Sequence, residues 1–144
     1  MRNDTINARE LLLAGHYTCV FCGNGEILTD DRRGVKPLLD LLEKDLSDFS
    51  AADKVVGKAA ALLYRLLGIA EIYASVISEP AITVLESGGI SIYYDSKVPA
   101  IRNRTDTGFC PMETAVWNID DPTLAPEILR KTLAQLTNNT PGSQ

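Results

Sequence analysis

Lys54 and Lys58 stand one helical turn apart in Asp53-Lys54-Val55-Val56-Gly57-Lys58-Ala59-Ala60-Ala61. The stretch reads as the end of a strand turning into the first turns of a buried helix. A helix start carries partial positive charge, so a cation there is unfavourable unless something negative sits opposite. Local rules broken at one place tend to mark functional sites. The chemistry this suggests is anion binding. Backbone N–H groups of the helix start face the ligand, Gly57 lets it approach, and Lys54 and Lys58 supply charge. On this reading Lys58→Met leaves stability unchanged or slightly raised. The plainer alternative is Asp53 as the helix N-cap with solvated lysines, and both readings stay open. The segment is not a Walker A loop, because its glycine spacing differs and it lacks the Gly-Lys-Ser/Thr ending.

Three other clusters carry polar chemistry. Ser78-Glu79-Pro80 reads as an N-cap, an acidic first turn and an early proline, at the same end of the sheet as Lys58. The stretch from Asn103 to Glu113 is dense in polar groups. At its start Arg102 and Arg104 suit a carboxylate or phosphate. Cys110, Pro111 and Glu113 fit N-cap, N1 and N3, with Glu113 folding back as the acid of a capping box. A capped helix behind a solvated loop is the alternative. Cys19-Val20-Phe21-Cys22 has the spacing of a metal or redox pair. On a strand, though, positions three apart face opposite sides, and His16 is the only histidine, so two apolar core residues fit better than zinc ligands. If the protein is an enzyme, Lys58 or Cys110 is its reactive group and Asp53 or Glu113 the partner.

The elements that must position these groups follow from periodicity. Helices are expected over Ile6–Ala14, Gly34–Asp45, Val56–Leu67, Glu79–Ser87, Pro111–Asn118 and Leu124–Leu136. Strands are expected over Tyr17–Cys22, Glu26–Thr29, Phe49–Ala52, Ile69–Ile77 and Ile90–Tyr94. Asn24-Gly25 between apolar runs signals a tight hairpin. Strands alternating with helices imply parallel pairing with right-handed crossovers. Asp95–Phe109 is a polar loop, long for a compact domain. One domain over 1–137 with a frayed tail over 138–144 is expected.

Net charge is −5 and the pI about 4.8, which argues against a nucleic-acid polymer or an anionic membrane as partner. No apolar run is long enough to span a bilayer, and Met1-Arg2-Asn3-Asp4 does not open a signal peptide. With 3 cysteines among 144 residues, a reducing, cytoplasmic setting is expected.

The chain resembles a small prokaryotic family of domains of unknown function with a cytidine-deaminase-like fold. The resemblance covers roughly Tyr17 to Trp117. It rests on Arg33-Gly34-Val35-Lys36-Pro37-Leu38-Leu39, Asp53 to Ala61, Val76-Ile77-Ser78-Glu79, Asn103-Arg104, and Gly108 with Cys110-Pro111-Met112-Glu113. It implies a three-layer α/β/α sandwich. The wider deaminase group carries His/Cys-x-Glu at one helix start and Pro-Cys-x-x-Cys at the next. The corresponding places here are Val56-Gly57-Lys58 and Pro80-Ala81-Ile82-Thr83-Val84. Zinc ligands would fall on Val56, Ala81 and Val84, which cannot bind it, and Lys58 replaces the glutamate.

The expectation is therefore an α/β domain with a mixed five-stranded sheet and an N-terminal hairpin, with no metal and no cofactor. It binds a small anionic, nucleotide-like ligand at the C-terminal rim of the parallel strands. The ligand residues are Lys54, Gly57, Ser78, Glu79, Asn103, Arg104 and Glu113, and any catalysis falls to Lys58, Cys110 and Asp53. A pseudoenzyme acting through protein partners is the alternative, and a homodimer, through the C-terminal helix, is the default by analogy.

Overall fold

The computed structural model describes residues 1–103, 108 and 110–138. Arg104 and positions 139–144 of the expected tail lie outside the described residues. The elements run α1 (Asn3–Ala14), β1 (Cys19–Gly23), β2 (Glu26–Asp30), α2 (Lys36–Asp40), β3 (Ser50–Val56), α3 (Lys58–Leu67), β4 (Glu71–Ser78), α4 (Glu79–Ser87), β5 (Ser91–Val98), α5 (Pro111–Val116) and α6 (Ala125–Asn138). The sheet is mixed and five-stranded, in the order β2-β1-β3-β4-β5. β1 is antiparallel to β2 and β3, whereas β3, β4 and β5 are parallel.

The hairpin forms where Asn24-Gly25 predicts it. Both residues take positive φ, 50° and 78°, as a two-residue hairpin turn requires. The strand alternation then sorts the cysteines. Cys19 joins a large apolar cluster with Phe21, Ala51, Ile72 and Ala74, built together with residues of α2 to α6. Cys22 joins a smaller one with Val20, Ala52 and Tyr73 beneath Ala8 and Leu12 of α1. Helices thus cover the sheet from both sides. α6 places Ala125 and Leu129 inside the large cluster.

Three boundaries differ most from expectation. The expected helix over Gly34–Asp45 stops at Asp40. Past it, N–H groups of Leu41, Leu42 and Lys44 reach carbonyls three residues back, and these tight turns swing the chain towards β3. β3 runs on to Val56 instead of ending at Ala52, because β-branched Val55 and Val56 pair with Val76 and Ile77. The helix waits for the Ala-Ala-Ala-Leu-Leu run, where propensity favours it. Asp53 is therefore not a helix cap and Lys54 is not at a helix start. β5 takes in Asp95 to Val98, expected as loop. It is an edge strand with most side chains exposed, so no apolar alternation marks it. Among the described residues, no helix is long and apolar enough to cross a membrane.

A limiting alkylating reagent reads this packing. Burial, then Asp53 and Asp30, hold the Cys19 thiol far above its usual range, and burial also raises that of Cys22. Cys110 is half-buried. Peptide mapping of the native protein is expected to show Cys110 labelled first. Early labelling of Cys22 would mean that α1 does not stay on the sheet.

Candidate functional site

Helix α3 begins with backbone N–H groups that have no partner within the helix. Two of them are satisfied from 55 and 54 residues away. Glu113 Oε1 accepts the Lys58 N–H at 2.7 Å and Oε2 accepts the Ala59 N–H at 2.8 Å. The carboxylate meets the positive end of the helix dipole. Gly57 makes this approach possible. Its φ of −99° is open to any residue, but a Cβ there would overlap the Glu113 carboxylate. Glycine is needed for space rather than for conformation. Glu113 is 3 % exposed. Burial raises its pKa, opposed by the Ala59 and Lys58 N–H groups and by the Lys58 charge.

The expected capping box in α5 is thus replaced by a longer reach. Cys110 is the N-cap of α5 but makes no side-chain cap bond, and Glu113 turns towards α3 instead. α5 itself is held by the Thr114 N–H to Cys110 O bond.

Lys58 is also spent within the fold. Its side chain is 8 % exposed, and Nζ lies 2.9 Å from Trp117 O, to which it donates, and 3.2 Å from Asp120 Oδ1. The cation expected to face a ligand instead ties α3 to the chain after α5. Its charge at the helix start is answered by Glu113 and Asp120. Asp120 is 94 % exposed, so the ion pair itself contributes little and the buried bond to the carbonyl matters more.

Asp53 points into the large cluster. Its Oδ2 accepts the Tyr64 hydroxyl at 2.6 Å and its Oδ1 the Val55 N–H at 3.2 Å. Burial pushes its carboxyl up to about 6, against the pull of the Tyr64, Val55 and Lys54 hydrogen bonds. Burial, with Asp53 and Cys19 nearby, holds the Tyr64 phenol well above its usual range. The side-chain partner of Asp53 is thus Tyr64, one turn and a half into α3, rather than Lys58 or Cys110.

The remaining expected residues stand at the C-terminal ends of the parallel strands. Lys54 is exposed, and its N–H donates to Thr18 O. Ser78 caps α4 by accepting the Ala81 N–H at 3.3 Å, and Glu79 is exposed beside it. Asn103 N–H reaches Gly108 O, and Cys110 N–H reaches Ile101 O. The structure therefore unites Gly57, Lys58 and Glu113, puts Lys54, Ser78 and Glu79 at one rim, and sets Asp53 apart. Sequence reading missed Tyr64, Trp117 and Asp120. Trp117 acts through its carbonyl, which no sequence pattern marks.

A family model described as TM1506, domain of unknown function (DUF1893), matches residues 7–133. Among solved structures, a DUF1893 family protein (TM1506) from Thermotoga maritima matches with a TM-score of 0.80 at 28 % identity. The match covers 94 % of this chain and 92 % of that one. No curated protein matches.

Two experiments follow from the geometry. Glu113→Ala leaves two buried N–H groups unpaired and is expected to cost roughly 3 kcal/mol in denaturant unfolding. Lys58→Met removes the charged hydrogen bond to the Trp117 carbonyl and is expected to cost roughly 1–2 kcal/mol, reversing the expectation drawn from sequence. Unchanged midpoints would show that these bonds do not hold the rim. The second concerns pH. An acid whose folded pKa is raised binds a proton longer in the folded state. Stability from Asp53 therefore falls as pH rises from about 4, its ordinary value, to about 6. Asp53→Asn keeps an acceptor for Tyr64 and removes that fall. Melting curves across this range are expected to show the variant gaining on the wild type towards pH 7, by up to roughly 3 kcal/mol.

Proposed function

The chain belongs to the DUF1893 family of domains of unknown function, and on that footing we propose that it is a metal-free, cytidine-deaminase-like domain that binds a small anionic, nucleotide-like ligand. The domain spans 1–137, and the ligand sits on the C-terminal rim of the parallel strands. One observation carries the reading. β3 is flanked by β1 and β4, yet near its C-terminal end Lys54 is exposed and Val55 is 47 % exposed. An interior strand normally buries such a valine. Here a cation and an apolar side chain stand exposed at successive positions, on opposite faces of the strand end, where open α/β sheets bind ligands. A nucleotide offers both complements, an anionic phosphate and an apolar base face.

The helix starts contribute less than the sequence suggests, since Glu113 occupies α3 and Ser78 serves α4. Side chains therefore carry the ligand: Lys54 and Arg104 for charge, Asn103 and Glu79 for orientation. Gly57, Glu113 and Lys58 build the wall behind it. The three-layer reading draws support from α1 on one sheet face and α3 to α6 with the cluster on the other. The metal-free reading rests on donor chemistry. Val56, Ala81 and Val84 are buried apolar side chains with no lone pair for zinc. Lys58, in the place of the deaminase glutamate, gives its N–H groups to Trp117 and Asp120. Catalysis by Lys58 is thereby disfavoured, and half-buried Cys110 is left as the enzyme alternative. Action through protein partners is a second reading, favoured by the open edge of β5.

Titration with AMP, GMP, CMP and UMP, followed by amide chemical shifts, tests the ligand reading. Saturable shifts at Lys54, Val55 and Glu79 are expected, weakened about tenfold or more by Lys54→Glu as a direct charge contact is reversed. Native mass spectrometry of freshly purified protein checks for a co-purified ligand. No saturable shift with any nucleotide, and no bound mass, would overturn the proposal.

A further inference from the structure

β5 closes one side of the sheet. β4 pairs with it in parallel from Ser91 to Val98, and among the described residues no strand lies beyond it. Edge strands are usually guarded by being short, by proline, by a bulge or by charged side chains, lysine above all. β5 has eight residues without proline or bulge, and its two charges within Ser91-Ile92-Tyr93-Tyr94-Asp95-Ser96-Lys97-Val98, Asp95 and Lys97, are of opposite sign and so can complement a second copy of the same strand. Tyr93 and Tyr94 are exposed large side chains on its opposite faces. Asp95 and Lys97 share a face, the one that bears Tyr73, whose hydroxyl donates to Asp95.

We propose that β5 is the interface of a homodimer, pairing antiparallel with β5 of a second copy about a two-fold axis through Ser96. Charge selects that register. A two-fold axis normal to the sheet passes through one residue of the strand and keeps each face in common. Through Asp95 it sets two carboxylates opposite each other, and through Lys97 two ammonium groups. Through Tyr94 it leaves both charges without an opposite partner. Through Ser96 it sets Asp95 opposite the partner's Lys97, and Lys97 opposite the partner's Asp95. The same register sets Tyr94 opposite the partner's Val98 on the other face, an aromatic against a β-branched side chain, as cross-strand pairs favour. Pro99 has no N–H to extend the ladder, so each copy contributes Tyr94 to Val98. The two sheets become one of ten strands. The occupant is a second copy of this chain, and the proposal does not depend on the ligand reading.

Sedimentation velocity over micromolar concentrations tests it. The wild type is expected to dimerise. Lys97→Asp sets carboxylates opposite each other and is expected to weaken the dimer roughly tenfold or more. Asp95→Lys combined with Lys97→Asp restores the pairing and is expected to recover it. A second measurement does not depend on the charge variants folding. Ser96→Cys is expected to give a dimer linked through residue 96 on mild oxidation, mapped by mass spectrometry, whereas Ser91→Cys gives none. A wild type monomeric throughout overturns the proposal. So does a dimer indifferent to Lys97→Asp, or one that residue 96 does not link.

Discussion

The carboxylate of Glu113 joins α5 to the first turn of α3, and the geometry of the rim depends on it. Burying a carboxylate is costly unless it is fully hydrogen-bonded. Here both oxygens accept backbone N–H groups at the positive end of a helix, which favours the charged form. The bond also fixes two other residues. Residue 57 must be glycine, because a Cβ would occupy the space of the carboxylate. Lys58 follows Gly57 and is carried to where its ammonium meets the Trp117 carbonyl at the end of α5. Together, Glu113 and Lys58 clamp α5 onto α3 from both ends.

The same device recurs elsewhere in the fold. Glu71, also buried, accepts the Arg2 N–H just ahead of α1. Asp53 lies against the inner face of α3 and takes the Tyr64 hydroxyl. Carboxylates thus tie helices to the sheet or to one another, and Glu113 does so by pairing helix donors that apolar packing alone would leave unpaired. A helix start that already holds an internal carboxylate has little left for a ligand anion. Under the proposed ligand reading, recognition therefore falls to side chains on the strand ends, where Lys54 and Val55 are exposed.

Local rules made much of the fold legible. Asn24-Gly25 gave away its turn, because few residues other than asparagine and glycine accept two successive positive φ angles. Ser78 announced α4, and Gly68 ended α3 in the left-handed conformation. Strand alternation placed Cys19 and Cys22 on opposite faces. The failures share one cause, the competition of tertiary partners with local preference. Asp53 is a good N-cap by propensity, yet Val55 and Val56 gain more by pairing with β4. Glu113 fits a capping box by spacing, yet a helix far along the chain offers better donors. Lys58 looked free because nothing in its neighbourhood of sequence reveals a carbonyl at Trp117. Asp95 to Val98 looked like loop because a strand exposed on both faces has the composition of one.

A double-mutant cycle between residues 57 and 113 tests the central claim most directly. Gly57→Ala, Glu113→Ala and the double variant are compared with the wild type by denaturant unfolding. If the carboxylate fills the space that glycine leaves, Gly57→Ala acts mainly by expelling it. Once Glu113 is gone, the added methyl group then does little further harm, and the two losses fall well short of additive, as contacting residues do. Additive losses would mean that Gly57 and Glu113 act independently, and that the start of α3 is not held by this carboxylate.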